Sequence, residues 1–219
     1  MSVRAAPLAK PKLRGVSHLY ALVVAVVAAV ALVATAPEGD ATVAAAVYGT
    51  TLVAMFAASA LYHRGSWSPP VARRLLQLDH TAIFLLIAGT YTPVAMLAMS
   101  STAEEILLPL VWLVAAGGIL FEWLPVRSPR GYVTTVYLVL GWIGAFAILS
   151  VWEHVGAAGA LLLAGGGLAY TAGAIVHAAR RPDPWPAVFG YHEVFHVFVI
   201  LAAAMHYAAI AGYVLPLGT

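Results

Sequence analysis

The sequence predicts an all-α membrane protein: a seven-transmembrane helix bundle with its N-terminus in the cytoplasm and its C-terminus outside. Three observations predict it. Of 219 residues, 63% are apolar and only 9% charged, and the mean hydropathy of +0.92 is above what a domain with a wetted surface reaches. Seven apolar runs follow one another, each close to the roughly 20 residues that cross a hydrocarbon core. The basic residues recur at alternate connections, the asymmetry that cytoplasmic loops carry.

The whole chain, 1–219, reads as a single domain, with residues 1–17 a basic cytoplasmic N-terminal segment bearing Arg4, Lys10, Lys12 and Arg14. Span 1 runs from Leu19 to Ala36. It exceeds a signal-peptide h-region, and Pro37, Glu38 and Asp40 follow it without an A-x-A cleavage pattern, so it is expected to be retained. Span 2 covers about Ala41 to Tyr62. Span 3 covers Leu75 to Met99, after a loop holding Pro69 and Pro70, and Pro93 is expected to kink it. Span 4 runs from Ile106 to Leu124, span 5 from Tyr132 to Val151, span 6 from Ala157 to Ala179 and span 7 from Ala187 to Val214.

With the N-terminus inside, the interior segments hold Arg4, Lys10, Lys12, Arg14, Arg64, Arg73, Arg74, Arg127, Arg130, Arg180 and Arg181, which is all eleven basic residues. The opposite side receives Glu38, Asp40, Glu104, Glu105 and Glu153. A wrong span count would scramble that pattern. The expected location is the cell's inner membrane. With most charges at loops, the net +2 gives no basis for a nucleic-acid partner; membrane lipids, as substrate or ligand, are the expected ones. There is no cysteine, so any metal must be held by nitrogen and oxygen.

The topology brings certain polar residues to one depth. His63 ends span 2, Asp79 begins span 3, and His192 and His196 begin span 7, four residues apart and so on one helical face. Three neutral imidazoles with an open fourth position suit a catalytic zinc site, although imidazole also accepts iron, nickel and copper. Asp79 can reach such an ion through water and handle its proton, or instead neutralise Arg73, Arg74 or His80. Ser59, one turn before His63, can orient Asp79 or assist a developing oxyanion, or simply bond its own i−4 carbonyl. Taken singly, each histidine also reads as an interfacial side chain.

The other histidines divide by depth. His18 and His177 are expected at the cytoplasmic boundary, in contact with headgroups. His80 is turned about 100° from Asp79, and His206 lies roughly 15 Å deeper than His196, bonding another helix or lining a cavity. His154 is on the far side. Glycines at Gly141 and Gly144 and from Gly165 to Gly167 are expected to let helices approach closely. Trp67, Trp112, Trp123, Trp152 and Trp185 read as interfacial anchors, and Trp142 as packing.

The segments KPKLRGVSH (Lys10 to His18), SALYHRG (Ser59 to Gly65), LDHTAIFLLIAGTYTPV (Leu78 to Val94) and GYHEVFHVFVILAAAMH (Gly190 to His206) resemble the bacterial hemolysin III family, the prokaryotic branch of the progestin and adipoQ receptors. The resemblance covers nearly the whole chain. It implies a seven-helix fold with zinc on His63, His192 and His196 near the cytoplasmic leaflet, and Asp79 reached through water. The wider superfamily includes alkaline ceramidases, which implies cleavage of a lipid amide or ester. Bacterial members are linked to membrane-lipid homeostasis, and the family name to lysis. Three readings follow: a zinc-dependent lipid hydrolase using Asp79 and Ser59, a non-enzymatic sensor with structural zinc, and a cytolytic pore. The pore ranks last, since Asp79, Glu122 and Glu193 are the only acidic residues within the spans. His192, Glu193 and His196 also spell HExxH, the zinc-protease signature in which Glu193 would be the base.

Overall fold

A backbone placed in hydrocarbon must satisfy its amides internally, and a helix does so within one segment. The computed structural model describes residues 10–125 and 131–219; Arg4, Arg127 and Arg130 lie outside the described residues. Among the described residues there is no strand, and the α-helices are α1 (Val16–Thr35), α2 (Asp40–Arg64), α3 (Pro69–Ala98), α4 (Ser101–Trp123), α5 (Tyr132–Trp142), α6 (Ile148–Ala179) and α7 (Tyr191–Ala209). A 3-10 turn over Ile143–Ala147 joins α5 to α6. Among the described residues six continuous helical stretches are long and apolar enough to cross a membrane, one of them the 48 residues Tyr132–Ala179.

That stretch is not one rod. Gly156 interrupts it with φ 69° and ψ 179°, and Trp142 Nε1 donates to Thr171 Oγ1 at 3.0 Å. A straight helix would hold those two residues on the order of 40 Å apart. Midway between them in sequence lies the junction of Gly156 and Ala157, so the chain folds back at the glycine. Trp142 is therefore not interior packing; it is 40% exposed and serves as the donor that ties the two arms.

Helix ends differ from the sequence expectation where local chemistry extends or trims them. α3 starts at Pro69, because proline fits a first turn whose amides have no intrahelical partner. α4 starts at Ser101, with the Ser100 hydroxyl accepting from the Ala103 amide at 3.4 Å. α7 starts at Tyr191, because residues 185–189 close on themselves through Trp185 and Phe189.

The core sits on α2 and α3, with α7 against them: Ala45, Tyr48, Leu52, Ala82, Leu86 and Val199 are among its buried members. α1 turns only one face inward, and its three buried residues, His18, Ala25 and Leu32, recur at intervals of seven. Gly49 lets α2 approach Ala29 of α1, and Gly166 receives the His206 ring of α7. Gly144 lies against Tyr91, whereas Gly141 faces open space and contributes its carbonyl to Tyr91 Oη at 2.7 Å.

One end of the bundle is strapped by the N-terminal segment. The Lys12 and Leu13 amides donate to the Ala187 and Val188 carbonyls at 3.1 and 3.0 Å. Lys10 Nζ reaches the Gly65 carbonyl at 3.2 Å, and Arg14 pairs with Glu193 of α7.

Candidate metal centre

At that strapped end, the last turn of α2 presents His63 and the first two turns of α7 present His192 and His196. Their ligand atoms all lie within 4.8 Å of one another, so the three histidines could hold a metal ion. The His63 and His192 Nε2 atoms are 3.2 Å apart, close to the roughly 3.3 Å that two nitrogens keep on one tetrahedral ion with 2.0–2.1 Å bonds. Asp79 of α3 places Oδ2 3.6 Å from His63 Nε2. His196 is 0% exposed, and neither of its ring nitrogens has a hydrogen-bond partner. An unsatisfied buried polar atom costs about 1–3 kcal/mol, so the orphaned imidazole fits a site that a cation completes.

Ser59 does not turn toward Asp79. Its Oγ lies 2.8 Å from His18 Nδ1, and His18, expected at the membrane boundary, is 2% exposed and stacked on His196. His18 is the residue that sequence reasoning missed. No local signal marks it, because Ala25 and Leu32, which share its buried face, sit in an unbroken apolar run. His177, partly buried, meets the His192 ring edge-on at 5.2 Å.

The remaining polar residues have other partners. His80 Nδ1 is 2.9 Å from Glu122 Oε1, away from the cluster. His206 Nε2 bonds the Leu163 carbonyl of α6 at 3.0 Å, and His154 bonds Ser150 of its own helix. Glu193 is 1% exposed: one carboxylate oxygen pairs with Arg14 and the other accepts the Gly190 amide at 2.7 Å. Both oxygens are committed at the start of α7, so the carboxylate is not free to act as a protease base.

The cluster opens on a cavity of about 970 Å³ bounded by α2, α3, α5, α6 and α7, the size of a site for a large apolar ligand. Its lining passes from Arg14 and His63 through Ile83 and Leu86 to Val94 and Val151. Lys10 stands at its rim, where burial, then the neighbouring Arg14 and Arg64 charges, lower its ammonium pKa from the usual lysine value. The site thus joins a metal-competent histidine cluster, a carboxylate and an apolar chamber.

Residues 7–207 match the sequence profile of a family described as "Haemolysin-III related". "Hemolysin-3" of Bacillus cereus is 35% identical over 81% of this chain and 78% of its own length. "Hemolysin-3 homolog" of Bacillus subtilis (strain 168) is 32% identical over 76% and 75% respectively. The human "Monocyte to macrophage differentiation factor" is 28% identical over 90% of this chain and 81% of its own.

Proposed function

The chain belongs to the haemolysin-III-related family, and on that premise we propose that it is a zinc-dependent hydrolase of lipid amide or ester bonds in the cell's inner membrane. The observation that carries this reading is the convergence of His63, His192 and His196 beside Asp79 at one end of a chamber large enough for a lipid chain. Three protein ligands would leave a fourth position open to water or substrate, the pattern of catalytic rather than structural sites. A sensor with purely structural zinc would be better served by a closed four-ligand site.

Bound there, zinc supplies the Lewis acidity that polarises a carbonyl and makes water nucleophilic at neutral pH. Asp79 takes the proton as the water oxygen bonds to the carbonyl carbon. It returns that proton to the departing nitrogen or oxygen as the C–N or C–O bond breaks, and ends as it began. When Ser59 accepts a hydrogen bond from His18 Nδ1–H, its own hydroxyl hydrogen stays available to the oxygen on which charge develops. The apolar walls hold the lipid chain and keep bulk water from the reacting carbonyl.

Counting Tyr132–Ala179 as two spans joined at Gly156 makes seven. With the basic N-terminal strap inside, this reading puts the histidine cluster at the cytoplasmic side and the C-terminus outside.

The test is metal content, by mass spectrometry, of detergent-purified wild type and the His63→Ala, His192→Ala and His196→Ala variants, followed by assay on a lipid amide. About one zinc per chain, from one tetrahedral site, lost in each variant, is the expected result. A wild type without metal, or a His63→Ala protein that retains it fully, refutes the site.

A further inference from the structure

Histidine ligands are ordinarily fixed by a second hydrogen bond, their other ring nitrogen donating to a carboxylate, carbonyl or water. His196 lacks that support, since both of its nitrogens are without a protein partner, and the torsion that turns a histidine ring about its Cβ–Cγ bond is intrinsically broad. What touches the ring instead is His18. The two imidazoles lie face to face, centroids 3.7 Å apart and planes within 9° of parallel. Phe56 of α2 meets the His18 ring at 5.1 Å and 80°. Ser59, one turn before His63, holds His18 Nδ1 at 2.8 Å. Gly15, immediately before α1, packs its backbone against the His63 side chain, where an added Cβ would come within 2.5 Å of the His63 Cβ. A single element, the start of α1, therefore touches both ligand-bearing helices.

We infer that His18 is a positioning residue for the metal centre: its ring, locked by Ser59 and Phe56, sets the plane of the His196 imidazole by stacking, in place of the missing second hydrogen bond. The inference rests on the reading that His63, His192 and His196 hold zinc. Under it, Ser59 acts first through His18.

The experiment is a chelator-competition measurement of zinc affinity on the full-length, detergent-solubilised wild type and on His18→Ala, His18→Leu, His18→Phe and Ser59→Ala. Thermal unfolding of each protein is recorded with and without zinc. Losing the flat ring, in His18→Ala and His18→Leu, is expected to weaken zinc binding roughly 10- to 100-fold, as loss of an outer contact to a ligand does. His18→Phe, which keeps a flat ring, is expected to bind more tightly than His18→Leu, and Ser59→Ala to fall between His18→Leu and wild type. Because zinc binds the folded state, the rise in unfolding temperature on zinc addition should shrink in the same order. His18→Leu fills the site without a polar atom and keeps the test decisive if His18→Ala fails to fold. Should His18→Leu bind zinc as tightly as wild type, with unfolding temperatures lowered equally with and without metal, His18 is ordinary packing and the inference falls alone. A wild type that binds no zinc overturns the metal reading and this inference together.

Discussion

Replacing Glu193 with glutamine separates the two chemistries that the HExxH pattern allows. The Glu193 carboxylate is 1% exposed and pairs with Arg14, whose side chain is 19% exposed. Breaking a buried pair by removing one partner costs about 3–5 kcal/mol, because the other charge is left uncompensated. Glutamine can still accept the Gly190 amide at the start of α7, and Arg14 keeps some contact with water, so the lower end, about 3 kcal/mol, is expected. For a chain of this size that corresponds to a fall of roughly 6–12 °C in unfolding temperature. Zinc content and activity per folded molecule should stay close to wild type, because the carboxylate is directed at Arg14 and Gly190. Adding Arg14→Met should recover most of the loss, since the stranded charge is then gone. The assay is thermal unfolding in detergent beside metal analysis and lipid-amide turnover. If Glu193→Gln were as stable as wild type yet inactive, Glu193 would be the base and the protease reading would replace the one given above.

Three further outcomes are expected. Asp79→Asn should retain zinc but lose at least about 100-fold in turnover, the usual contribution of a positioned acid–base group, measured at equal zinc loading. Gly15→Ala should destabilise by about 1–3 kcal/mol, because it demands a φ of +74° from a residue with a Cβ and drives that atom into His63; thermal unfolding measures this, and zinc affinity should fall with it. The chain has no cysteine, so single cysteines at Glu38, Arg180 and Thr219 report topology cleanly. An impermeant maleimide should label Glu38→Cys and Thr219→Cys from outside intact cells and reach Arg180→Cys only after lysis, whereas six spans would place Thr219→Cys inside.

Much of the fold was legible because membrane spans announce themselves by composition, and the histidine cluster because His192 and His196 share a helical face by spacing alone. What escaped the sequence were contacts between residues distant along the chain. Nothing local to His18 reveals that it stacks on a histidine of α7, and nothing near Glu193 names Arg14 as its partner, 179 positions away. Ser59 was legible as a residue on the His63 face of α2, but a hydroxyl takes whichever neighbour the packing brings, and that neighbour was on α1. The break between spans 5 and 6 was legible as well, since the runs were read as ending at Val151 and resuming at Ala157, with Gly156 between them. What the structure adds is the residue that makes the break, Gly156, with its φ of 69°.

The strap across the basic end bears on how the protein is made. His63 and His192 are 129 residues apart, and the stack of His18 on His196 joins the first helix to the seventh. While α1 to α6 are being inserted, His63 and His18 have neither their ligand partner nor their stacking partner, and Arg14 has no counter-charge. All three deficits are removed by one event, the docking of α7. If the cluster holds zinc as proposed, its capture is expected to follow complete insertion, and a chain stalled before α7 would be left with these polar groups unpaired.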